Sequence, residues 1–394
     1  MKVSKDKIGW DAVVFAVYCA MAPLNMIMNY SGGATINKYV GILAAACMLV
    51  RVAMRKQFTV NRSALLVAGF LVWAFATSLW TIASGTTRAL LITLASLVAV
   101  FLVGAIRGFN ARELSFIKHI MIIMASALVF WIVPNQDYSY YRGTLSSEAG
   151  VADQNGLAAN ILFPLWMAID LLMNTKGKKR ILYTVAAVCM SISLLMLASR
   201  GALVAFFISA LVYFIMRRKQ IKPLVVVGIV VALALIYAYY VKTNPGLLSR
   251  LSLESTKKDG GNGRIEIWSS TLSLLLSNPV RLLFGYGYGA ETAVSILAMG
   301  TAIGTHNIYI EHLAAMGVIG LILLLWILFF ILKKAIRNKD YLAISLMISM
   351  MTVSMFLGFF RDKGAWNILL ICFIGFTSSQ SSNHEGSDQL CRDS

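Results

Sequence analysis

The chain has 394 residues, 59% of them hydrophobic and 13% charged, with a mean hydropathy of +0.75; soluble globular domains carry nearer a quarter charged residues, so that class is excluded. A net charge of +18 would suggest nucleic acid in a soluble protein. Here the basic residues sit in short loops between apolar runs, where they fix membrane topology, so the expected partner is the lipid bilayer and not nucleic acid. Cys19, Cys47, Cys189 and Cys372 lie in apolar runs, Cys391 lies in the tail, and no CxxC pair occurs. Neither a disulfide framework nor a metal site is therefore expected.

In chain order, apolar runs predict membrane spans near 9–28, 36–54, 64–82, 89–106, 115–133, 156–173, 181–198, 200–216, 223–241, 305–332, 340–359 and 364–378, each near the roughly 20 residues a bilayer requires. The expected fold is all-α and polytopic, about 12 transmembrane helices in one domain over 1–378. A long outer loop at about 242–304 and a disordered cytoplasmic tail at 379–394 complete it. Lys2, Lys5 and Lys7 precede a run too long for a signal peptide and broken early by Asp11, so it reads as a first span. Basic clusters then fall in alternate loops: Arg51, Arg55, Lys56 and Arg62; Arg107, Arg112 and Lys118; Lys176 to Arg180; Arg217 to Lys222; Lys333 to Lys339. That alternation predicts cytoplasmic ends and an outer placement for Arg88, the loop Pro134–Asn155, Arg200, the long loop and Arg361.

The few outer ionisable residues are the candidates for chemistry. Arg200 in LMLASRGALVAF either snorkels to lipid headgroups or binds an anion through its planar fork. Arg264 follows GGNG and opens RIEIWSSTLSLLL. There Ile265, Ile267, Trp268, Leu272 and Leu275 can share one face, predicting a helix along the outer surface; the other reading of Arg264 is a solvated loop charge. Gly285, Gly287 and Gly289 in FGYGYGA follow no strand, so a turn or close helix packing is expected in place of a nucleotide cradle.

His306 opens THNIYIEHLAAMG. It is either a cap or, beside Asn307 and above the intramembrane Glu311, a base for a hydroxyl group. In the fifth-to-sixth loop, Arg142 and Asp153 are candidate sugar or phosphate contacts, Asn155 a candidate cap, and the tyrosines suit sugar stacking or an aromatic belt. Arg361 completes the outer set.

Taken together and in order, DQNGLAAN, SRGALVAF, GRIEIW, GYGYG and THNIYIEHLAAMGVIGL resemble the O-antigen ligase and polymerase superfamily from about Arg142 to Leu321. The resemblance implies a GT-C-like, metal-independent inverting glycosyltransferase without a cofactor. It implies an active site on the periplasmic side of the bacterial inner membrane, an undecaprenyl-diphosphate-linked glycan as donor, and a lipid-linked glycan or lipid A-core as acceptor. Arg200 and Arg264 would bind the diphosphate and His306 would take the acceptor proton. One position departs: family members often carry Glu where this chain has Ala315, and Glu311 stands one turn away. The leading expectation is a polysaccharide polymerase and the runner-up a ligase. A transporter or lipid flippase is the third reading, opposed by the lack of an internal repeat and of a broken helix pair near mid-membrane.

Overall fold

The computed structural model describes residues 7–27, 35–55, 64–137, 144–147, 150–151, 153–219, 238–239, 242, 263–358 and 361–375. All but residues 238–239 of the predicted span at 223–241, the tail at 379–394 and Arg142 lie outside the described residues. Helix fills every other predicted apolar run. The elements are α1 (Trp10–Ala20), α2 (Thr35–Arg55), α3 (Ala64–Ser78), α4 (Ser84–Arg107), α5 (Ala111–Ala127), α6 (Val129–Asn135), α7 (Gln154–Asn174), α8 (Lys178–Met196), α9 (Arg200–Arg217), α10 (Arg264–Leu276), α11 (Pro279–Phe284), α12 (Glu291–Met299), α13 (Ile308–Arg337), α14 (Tyr341–Val353) and α15 (Lys363–Ile374). Three short antiparallel strands, β1 (Gln136–Asp137), β2 (Thr144–Ser147) and β3 (Gly150–Val151), precede α7.

Among the described residues, seven helical stretches are long and apolar enough to cross a membrane, and four shorter apolar ones pack with them. The most enclosed long helix is α7, which lies against α5, α8 and α14. Trp166 of α7 and Trp366 of α15 are fully buried. Large side chains such as Val72, Phe130, Leu211 and Trp326 face outward, as lipid contact requires.

Arg107 departs from the loop role its sequence position implied. Its guanidinium is buried and reaches Asp11 Oδ2 at 2.5 Å and Glu113 Oε2 at 2.5 Å, with its face on the Phe109 ring. Glu113 also accepts the Gly9 N–H. The cluster ties the start of α1, the end of α4 and the start of α5, and a buried charge of this kind is tolerable only when paired.

The run at 305–332, expected as one continuous span, is broken. Gly317 in α13 has φ 67° and ψ −171°, which no helix contains. Such a break strands the carbonyls of the preceding turn, and in hydrocarbon each must find a donor. Tyr286 N–H meets the Ala314 carbonyl at 2.8 Å and Gly287 N–H meets that of Ala315 at 2.9 Å. The Trp73 indole N–H meets that of Met316 at 3.0 Å. The glycine turn 285–289 is therefore a plug for a helix break, and this is why it is glycine: a Cβ on Gly285 would stand 2.3 Å from the Ala315 carbonyl oxygen, and one on Gly287 2.2 Å from Thr81 Cα.

Candidate functional site

An open cavity of about 420 Å³ lies where the first residues of α7 and α13 meet the loop between α14 and α15. That volume is within the range of small-molecule sites, roughly 300–1,000 Å³. Four of the residues singled out from sequence line it: Asp153, His306, Glu311 and Arg361. Two acids that sequence reasoning passed over, Glu291 and Asp362, line it as well.

His306 stands at the cavity mouth in a left-handed conformation, φ 49°. His is among the residues that tolerate this region, but the strain points to a site whose surroundings impose it. Two contacts do so. The carboxylate of Glu311 faces the His306 backbone N–H and the Thr305 hydroxyl, and that hydroxyl donates to the Asn307 carbonyl at 3.3 Å. On the other side the Trp268 indole N–H donates to the Thr305 carbonyl at 2.7 Å. Partial burial and the positive charge of Arg264 pull the His306 pKa below its ordinary 6.5, against a weaker opposing pull from Asp153. The ring is thus neutral near pH 7 and free to accept a proton.

Glu311, whose intramembrane position demanded a partner, finds Thr305 and His306 N–H, with Arg361 within electrostatic reach. Arg361 forms a salt bridge with Glu291 and lies 5.6 Å from the centre of the Tyr288 ring. Burial would lower its pKa, but Glu291 and Tyr288 more than offset this and hold the guanidinium firmly protonated. Asp362 accepts the Gly364 N–H at 2.7 Å and caps α15. Burial pushes its pKa up to about 7, against hydrogen bonds from Asn160 and the backbone.

The two arginines expected to grip diphosphate do not line the cavity. Arg264 is the first residue of α10 and close enough to act on the charge of His306. Arg200 is the first residue of α9, and the neighbouring Gly201 packs against Phe356, shortly before the Arg361 loop. Both therefore belong to the same end of the bundle as His306.

Asn307 is a cap, not a cavity residue: its side-chain oxygen accepts the N–H groups of Tyr309 at 3.0 Å and Ile310 at 3.3 Å. Asn155 does not cap α7; Asp153 does, accepting from Asn155 and Gly156. The buried stripe of α10 is Ile267, Thr271 and Leu275, while Ile265, placed on that face by helical spacing, is exposed. His312 is buried, bonded to the Ile308 carbonyl and stacked on Phe70, away from the cavity.

Glu291 escaped sequence reasoning because an acid in the first turn of a helix is ordinarily explained by the helix dipole. Its one signal is its place directly after the glycine turn, in an otherwise apolar segment.

Residues 185–325 match the family model described as O-antigen ligase. Over that stretch the resemblance to the O-antigen ligase and polymerase superfamily is borne out, and the stretch includes Arg200, Arg264, His306, Glu311 and the break at Gly317. No curated protein matches the chain.

Proposed function

We propose, from the O-antigen ligase family match, that this chain is a metal-independent, inverting membrane glycosyltransferase. It moves an undecaprenyl-diphosphate-linked glycan onto a sugar hydroxyl at the periplasmic face of the bacterial inner membrane, as a polysaccharide polymerase. The helices that fill the predicted runs, with the run at 223–241, make up the proposed twelve spans. The observation that carries the reading is the cavity that joins His306, held neutral beside Arg264, to Glu311 and Arg361. A ligase delivering the glycan to lipid A-core is the second reading and shares this donor chemistry; the acceptor alone separates the two.

In the proposed step the acceptor hydroxyl oxygen attacks the anomeric carbon from the face opposite the diphosphate. The new C–O bond forms as the bond to diphosphate breaks. His306 takes the hydroxyl proton, and undecaprenyl diphosphate leaves carrying the bonding electrons. Arg200 and Arg264 meet the charge gathering on the leaving group, through bidentate hydrogen bonds that a guanidinium is shaped to make. Diphosphate is a good leaving group, so no general acid is invoked.

Two outcomes test this. Arg200→Lys and Arg264→Lys keep the charge and lose the fork. Each is expected to lower transfer from a lipid-linked glycan by roughly 10²-fold, with normal expression, whereas Arg180→Lys, on an exposed position of α8, keeps full activity. Full activity in Arg200→Lys would return that residue to a headgroup contact.

The periplasmic placement is tested separately. Thr301→Cys, on the exposed loop before His306, in a background with all five cysteines replaced, is expected to react with a membrane-impermeant maleimide in intact cells with a permeable outer layer. Labelling only after lysis would place the site on the wrong side.

A further inference from the structure

The loop that plugs the helix break also reaches into the site. It presents Tyr288 within the glycine turn and, after it, Glu291, the first residue of α12. Glu291 is buried, and its carboxylate pairs with Arg361, while the Tyr288 ring lies against the same guanidinium. One loop thus grips Arg361 on two sides. The next anion within reach of Arg361 is Glu311. The Glu311 carboxylate lies over the bare backbone of Gly358, where an added Cβ would stand 2.7 Å from each oxygen. It faces the N–H of the strained His306.

We infer that Glu291 is a positioning residue for His306, acting through Arg361 and Glu311, an inference that rests on the glycosyltransferase reading above. A buried ion pair by itself is weak evidence for stability. This pair sits at the start of a line of electrostatic neighbours that ends at the backbone of the proposed base. With Glu291 in place, Arg361 has a committed partner and leaves Glu311 facing the His306 N–H. Without that charge, Arg361 turns to Glu311 and draws the carboxylate off the His306 N–H. The His306 backbone then loses the acceptor that faces its N–H from within the cavity. Misplacement of a catalytic group by about 1 Å can cost roughly 10²-fold.

The test is steady-state transfer by purified protein in nanodiscs with a lipid-linked glycan as donor. Glu291→Gln keeps the shape and removes the charge. The expected result is a fall in kcat of roughly 10- to 100-fold, with donor KM within about twofold, because the diphosphate is held by other residues. Gly358→Ala reaches the same carboxylate from the opposite side with Glu291 intact, and is expected to behave alike. The double variant is expected to be no worse than the poorer single one, since both act through Glu311. Thermal unfolding in detergent identifies a variant that merely fails to fold, in which case the other carries the test.

Glu291→Gln turning over like wild type, or raising KM with kcat unchanged, would overturn the inference and leave the proposed function standing. Effects that multiply in the double variant would also overturn it. An inert wild-type protein would overturn the glycosyltransferase reading, and the inference with it.

Discussion

His306→Ala is expected to lose roughly 10²–10⁴-fold in turnover, the usual contribution of a general base, while binding the lipid-linked donor as well as wild type does. Binding survives because the proposed diphosphate ligands, Arg200 and Arg264, are untouched. The electrostatics add a second signature. Partial burial and Arg264 lower the pKa of His306, so the neutral, proton-accepting ring persists to lower pH than a free histidine's. Wild-type activity is therefore expected to rise with pH along a limb below 6.5 and then to level off. Residual activity in Arg264→Gln is expected to show that limb at higher pH, since removing a neighbouring positive charge makes protonation easier. His312→Ala serves as the contrast. It deletes a buried ring stacked on Phe70, so it is expected to reduce stability but spare turnover per folded molecule. Normal turnover by His306→Ala would move the role of base to Glu311.

Gly287→Ala is expected to be the most damaging substitution outside the cavity. The φ of Gly287 is +103°, a conformation that side chains adopt only under strain. The new Cβ would also stand 2.2 Å from Thr81 Cα, a backbone atom that cannot swing aside. Strain and overpacking together amount to about 3 kcal/mol or more, read as a large fall in the thermal unfolding midpoint in detergent. Gly300→Ala isolates the conformational part: φ is +73°, but the space around it is open, so about 1 kcal/mol is expected. If the two variants unfolded at the same temperature, the packing of the glycine turn against the α3–α4 loop and α13 would not matter as argued.

Much of this architecture is legible in the sequence because a membrane chain hides little. Polar residues in an apolar sequence are conspicuous, so Arg264, His306, Glu311 and Arg361 could be singled out without a structure. The order of the apolar runs located the helices. What stayed illegible is what depends on distant partners. Arg107 reads as one more topology-setting loop charge until Asp11, 96 positions away, is seen against it. Gly317 reads as a small residue in a long helix. The break is evident only when Trp73, 243 positions before Met316, and the 285–287 turn are found bonded to the carbonyls it releases. Glu291 reads as a helix-start acid, and nothing nearby in sequence announces Arg361, 70 positions on. Local chemistry misled in smaller ways. Asn155 and Asp153 are both good caps, and the side chain that sits two positions earlier won. Ile265 fits the apolar stripe of α10 by spacing, but the helix turns its buried line onto Ile267, Thr271 and Leu275.

The measurement that bears most directly on the central claim is transfer by the purified wild-type protein, reconstituted in nanodiscs, with a lipid-linked glycan in the presence of EDTA. The product is followed by gel mobility, undecaprenyl diphosphate by its release, and the new linkage by the anomeric configuration of the transferred sugar. The account predicts undiminished transfer, one undecaprenyl diphosphate released for each bond formed, and an inverted anomeric centre. Retained configuration, or transfer that EDTA abolishes and added Mg²⁺ or Mn²⁺ restores, would contradict it.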